Sequence, residues 1–142
     1  MSTPTLSTIA VGDELPVIEK SFTRADLVAY ANASGDMNPI HQDEAVAKSV
    51  GLPDVISHGM LTMGRAIQVV TDWVGDPTAV VDYSVRMTRP VIVPNTTEGV
   101  TVTFSGKVAA INEDGTVRID LTAHFNGQTV LGQARALVRL SQ

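Results

Sequence analysis

Two rhythms of apolar residues divide this chain. In the first half they recur every three or four positions, the spacing of a helix face. From Val81 onwards they alternate, the spacing of a strand with one side buried. Val11 to Glu19 carries Gly12, Asp13 and Pro16 and reads as a turn feeding a short strand that ends near Ser21. Thr23 stands where an N-cap is expected: Asp26 follows three residues on, and Leu27, Val28 and Tyr30 open an apolar face, so a helix is predicted to about Asn32. Asp43 caps a short helix, Glu44 to Val50, closed by Gly51 and Pro53. The longest predicted helix is Gly59 to Val74. Met60, Met63, Gly64, Ile67, Val70 and Val74 form its stripe, widened by Leu61, Ala66, Val69 and Trp73. That girth implies burial on more than one side, as in a helix that a sheet wraps.

After Gly75-Asp76-Pro77 the period becomes two. Val81, Tyr83, Val85 and Met87 alternate with polar residues, as do Val100, Val102, Phe104 and Val108. Asp114-Gly115 and Asn126-Gly127 are hairpin turns, bracketing Val117, Ile119, Leu121, Ala123 and Phe125. The last strand places Val130, Ala134, Ala136, Val138 and Leu140 on one face, and Met60, Met63 and Met87 read as core packing. The expected fold class is α+β: one long buried helix against a curved antiparallel sheet. Residues 1–142 form a single domain with no repeat or linker, and the Ser/Thr-rich start, 1–8, reads as loose.

Composition narrows the function. With a formal charge of −5 over 142 residues and no basic run, general nucleic-acid binding and adhesion to anionic membranes are not expected. The absence of cysteine removes disulfides, thiol nucleophiles and thiolate metal sites. No positively charged, apolar leader opens the sequence, and the apolar run at Val69-Val70 is broken by Asp72 and Asp76, so a cytoplasmic protein without membrane insertion is expected.

Chemically able groups concentrate between Ser34 and Met60. Ser34-Gly35-Asp36-Met37-Asn38-Pro39-Ile40-His41 sets an acid and an imidazole five residues apart on a loop stiffened by Pro39, and Ser57-His58-Gly59 opens the long helix. Each residue alone has a structural reading: Asp36 as a turn former, His41 as a hydrogen-bonded loop histidine, His58 as a turn or packing residue kept neutral by the helix dipole. A metal site from Asp36, His41, Asp43 and His58 has the right ligand types but lacks a recognised spacing, since His41 falls where a calcium loop needs glycine. Ser34 and Ser57 lack a nucleophile elbow. Arg65, Arg86 and Arg89 read as solvated surface, and His124 as exposed.

The run Tyr30 to His41, continued by Asp43 and Ala45, closely resembles the signature of the MaoC-like (R)-specific enoyl-thioester hydratases and dehydratases, and His58-Gly59-Met60-Leu61 looks like that family's oxyanion-helix start. Segments Val74 to Pro77 and Val93 to Asn95 look most like the catalytic subunits of mycobacterial (3R)-hydroxyacyl-carrier-protein dehydratases. The resemblance implies a single hot-dog fold and reversible dehydration of (3R)-3-hydroxyacyl thioesters, on carrier protein or CoA, without a cofactor or metal. It implies Asp36 and His41 as the catalytic pair and Gly59 as the oxyanion N–H, with Asn38, Ser57 and His58 as further substrate-side residues. It also implies pairing, as a homodimer or with a related hot-dog subunit. A hot-dog thioesterase and an acyl-binding subunit of a heterodimeric dehydratase are the alternative functions.

Overall fold

The structure is a computed structural model and describes residues 2–142; Met1, the first residue of the segment read as loose, lies outside them. Strand β1 (Ile18–Phe22) leads into helix α1 (Arg24–Ser34). Thr23 and Asp26 make a reciprocal capping box at its start, and Gly35 ends it in the left-handed region at φ 80°. A 3₁₀ turn (Pro39–His41) and helix α2 (Glu44–Ser49) follow, then α3 (Gly59–Ala66) and α4 (Gln68–Val74). The remaining strands are β2 (Val80–Met87), β3 (Val100–Ile111), β4 (Thr116–Phe125), β5 (Gln128–Thr129) and β6 (Leu131–Arg139). They form one antiparallel sheet in the order β1-β3-β4-β6-β2, with β5 paired to β4. The Asn126-Gly127 hairpin turn has both central residues at positive φ (55° and 76°), which matches the twist of the strands it joins.

The α+β architecture is as expected, with four local corrections. The long helix is two segments, because at Ile67 the hydrogen bonding tightens: the Val70 N–H donates to the Ile67 carbonyl, three residues back, at 2.9 Å. Its buried face is Thr62, Ala66, Val69, Val70 and Val74. The predicted stripe shares Val70 and Val74, its widening residues add Ala66 and Val69, and Thr62 was not expected, while Met60 is 60% exposed. The sheet therefore covers one side of this helix, not its girth. Helix and sheet pack tightly at Gly106 of β3, where an added Cβ would lie 3.2 Å from Val69 Cγ1 of α4 and 3.2 Å from Leu121 Cδ2 of β4.

Strand β2 is an edge strand whose register against β6 shifts at Val80/Asp82 and again at Ser84/Arg86. Each irregularity turns the side chains that follow, so Tyr83 and Val85 are half-buried while Val81 and Met87 are exposed. Met60 and Met87 are thus not core residues. In β6, Gln133 at φ 45° makes a bulge that buries Leu131 alongside Ala134, a residue the strict alternation omits. The N-terminal segment is docked, not loose: Pro4 is buried, the Leu6 N–H donates to the Ser141 carbonyl at 2.9 Å, and Leu6 and Ile9 pack on the core. No helix among the described residues is long and apolar enough to cross a membrane.

Candidate active site

The loop after α1 is held by its own side chains. Ser34 Oγ accepts from the Asp36 N–H, Asp36 Oδ1 from the Asn38 N–H, and Asn38 Oδ1 from the Ile40 N–H, each at 3.2 Å. Pro39 begins the 3₁₀ turn that delivers His41 inward, where it is buried. The segment Val55–Ser57 lies against this loop: the Ile56 N–H donates to the Ile40 carbonyl at 3.2 Å, while His41 Nδ1 donates to the Ile56 carbonyl at 2.7 Å. A carbonyl only accepts, so Nδ1 carries a proton, and in the neutral ring the lone pair is on Nε2.

The far side of Val55–Ser57 pairs with a stretch between β2 and β3 to which the sequence pattern assigned no strand. The Val93 N–H donates to Val55 and the Ser57 N–H to Val91, at 2.8 and 2.9 Å. Arg24, at the start of α1, locks these pieces together through the Val93 carbonyl and an ion pair with Asp54 at 2.7 Å. Arg65 is likewise no solvated residue: it lies 4.3 Å over the Phe22 ring and donates to the Ser21 carbonyl, fixing α3 against β1.

His58, fully buried, stands behind His41. The two rings stack with centroids 3.9 Å apart and planes 27° apart, and Tyr30 meets His58 edge-on at 4.7 Å. His58 Nε2 donates to the Asp36 carbonyl at 3.2 Å, and its Nδ1 has no partner. Burial, with the nearby His41 adding to it, pulls the His58 pKa below the ordinary imidazole value against the opposing pull of Asp36. Neutrality was expected here, but its main cause is desolvation.

An oxygen of Asp36 and a nitrogen of each histidine lie within 4.8 Å of one another. Each imidazole already spends one nitrogen on a carbonyl, and the rings lie nearly face to face. A cation held in the plane of one ring would sit off the plane of the other, so the trio suits proton transfer better than metal ligation.

A cavity of about 290 Å³ opens in front of His41, walled by Ser57, Gly59, Thr62, Met87, Thr88 and Arg89 among others. Gly59 is the first residue of α3, so its N–H has no intrahelical acceptor and lies at the positive end of the helix dipole. Of the residues singled out in the sequence, His41, Ser57 and Gly59 line this cavity, and Asp36, exposed and outside its lining, has a carboxylate oxygen within 4.8 Å of a His41 ring nitrogen. Asn38 and His58 do not line it: Asn38 caps the 3₁₀ turn, and His58 supports His41 from behind. Ser57 Oγ donates to the His58 carbonyl at 3.2 Å and so shapes the turn into α3. Tyr30, Thr62, Met87 and Arg24 were missed as site residues; only the first stood inside a recognised signature.

A MaoC-like domain model matches residues 9–124. The chain is 46% identical, with a TM-score of 0.93 over 98% of its length, to a solved MaoC-like dehydratase, of which it covers 43%. It is similar along nearly its whole length to the 3-oxo-4,17-pregnadiene-20-carboxyl-CoA hydratase beta subunit of Mycobacterium tuberculosis: 30% identity, covering 92% of this chain and 95% of that one. The (R)-hydratase from A. caviae involved in PHA biosynthesis superposes with a TM-score of 0.82 at 26% identity, over 94% of this chain and 98% of that one. The fold is thereby a hot-dog fold. The chain spans only 28% and 34% of the length of two other relatives that it matches.

Proposed function

Because the chain belongs to the MaoC-like domain family, we propose that it reversibly hydrates trans-2-enoyl thioesters to (3R)-3-hydroxyacyl thioesters, with Asp36 and His41 as its proton-transfer pair. The observation that carries this reading is the fixed tautomer of His41. With Nδ1–H held on the Ile56 carbonyl, Nε2 of the neutral ring is the nitrogen left to accept a proton; an Asp36 carboxylate oxygen lies within 4.8 Å of the His41 ring, and His41 walls the cavity that Gly59 also lines.

In the hydration direction, water sits between the Asp36 carboxylate and His41 Nε2. Its oxygen bonds to C3 as His41 takes a proton. The C2=C3 π pair moves towards the thioester oxygen, and the Gly59 N–H, at the helix's positive end, holds the charge that develops there. The pair then returns from the enolate to C2, which takes a proton from the protonated dyad. Water is thus added as hydroxyl at C3 and hydrogen at C2, with no redox change and no cofactor. Dehydration runs the same steps backwards.

The chain acts as a dimer, with itself or with a related hot-dog subunit. Support comes from the unpartnered edge of β2 and from the exposed apolar side chains beside the site, Met37, Met60 and Met87. The test is loss of enoyl absorbance when the purified chain meets crotonyl-CoA, with free thiol followed in parallel. Hydration without thiol release is expected. Thiol release without hydration would replace this reading with a thioesterase.

A further inference from the structure

The Met87 side chain lies directly on the Cα of Gly59. A Cβ built there would be 3.0 Å from Met87 Sδ and 3.2 Å from both Cγ and Cε. Both residues line the cavity in front of His41, so the thioether occupies space next to the proposed oxyanion N–H. We infer that Met87 is a specificity-determining residue: it closes the space beside C2 of the bound thioester, so that the site takes 2-enoyl thioesters with hydrogen at C2 and rejects those with a methyl there. This inference rests on the hydratase reading and deepens it.

The geometry is direct. A carbonyl oxygen accepting from the Gly59 N–H brings the carbonyl carbon, and C2 bonded to it, onto the same glycine face that Met87 covers. A substituent on C2 then competes with the thioether for one volume. That volume is limited, because the whole cavity is about 290 Å³, at the low end for a ligand site. Hydrogen at C2 adds no bulk.

The backbone around Met87 is anchored. Met87 pairs with Leu131, and the next two N–H groups, of Thr88 and Arg89, both point to the Val130 carbonyl at 3.2 and 3.4 Å. Thr88 also packs against Gly132, where an added Cβ would lie 2.7 Å from Thr88 Cγ2. Met87 itself is 48% exposed on an edge strand. Shortening it therefore empties space over Gly59 without moving the strand.

The experiment compares kcat/KM for trans-2-methyl-2-butenoyl-CoA with that for crotonyl-CoA in wild type and in Met87→Leu, Met87→Val and Met87→Ala. The methyl-to-hydrogen ratio should stay within about threefold of wild type in Met87→Leu and rise in Met87→Val. It should rise by about tenfold or more in Met87→Ala, the scale of one buried carbon. An unchanged ratio across the series, with crotonyl-CoA still hydrated, would overturn the inference and leave the hydratase reading standing. Wild type hydrating both substrates equally would do the same. Failure of wild type to hydrate crotonyl-CoA would overturn both.

Discussion

The imidazole of His58 stacks on that of His41 at 3.9 Å while its Nε2 donates to the Asp36 carbonyl. One buried histidine thus holds both members of the proposed proton-transfer pair, one through its ring face and the other through its edge. Removing it should loosen both at once. His58→Ala is expected to cut kcat by ~100-fold, the low end of what a positioned acid–base pair supplies, with a smaller change in KM. Steady-state kinetics on enoyl thioesters would check this.

The same burial makes stability depend on pH. The folded His58 pKa lies below its unfolded value of about 6.5. The unfolded chain therefore binds more protons as pH falls through that value, and stability rises with pH there. The contribution is fully present above pH ~6.5 and is lost on acidification towards the lowered folded pKa. Urea midpoints measured from pH 7.5 to 5 should fall, and His58→Gln should flatten the slope. A variant as steep as wild type would show that another group is responsible.

Asp36 and His41 differ in what their removal should do to the fold. Asp36 is exposed, so Asp36→Asn should lower kcat by ~100-fold or more with an unchanged melting temperature. His41 is 7% exposed and satisfies the Ile56 carbonyl. His41→Ala should abolish comparable activity and also cost about 1–3 kcal/mol, because a buried acceptor loses its donor. Denaturation curves beside the kinetics separate the two effects.

Arg24 is distant in sequence from the residues it organises, yet it ties α1 to Asp54 and to the Val93 carbonyl. Arg24→Met keeps the stem and removes the guanidinium. It should cost about 1–3 kcal/mol and lower kcat, because the Val55–Ser57 segment that holds His41 is no longer braced. An unchanged melting curve would show that this brace contributes nothing.

Gly106 sets how close the central helix comes to the sheet. In Gly106→Ala the new methyl meets Val69, Leu121 and Ile119 at 3.2–3.3 Å together. Overpacking of this kind is expected to cost about 1–3 kcal/mol, seen as a lower urea midpoint. Gly64→Ala, where an added Cβ meets nothing within 4 Å, serves as the control and should be neutral or stabilising.

The sequence by itself determined whatever depends on near neighbours in the chain. Thr23 with Asp26, the Asn126-Gly127 turn and the alternation of β3 and β4 are local, and each stands in the structure as read, while α1 runs two residues past the expected Asn32 to Ser34. The Asp36–His41 loop was legible for the same reason, since its hydrogen bonds join residues two apart. Only the tertiary structure decided which apolar residues are covered. Met60 and Met87 look like core in composition, but burial depends on which face meets the sheet and on bulges in an edge strand. It alone also decided the tautomer of His41, because the carbonyl that selects Nδ1 belongs to Ile56, fifteen residues on. It alone set Met87 on Gly59, through a strand that returns from the far end of the helix. The stretch from Ser34 to Met60 thus carried the proposed reacting groups with His58 behind them, while Arg24 and Tyr30 of α1, Met87 of β2 and the segment before β3 complete the surroundings.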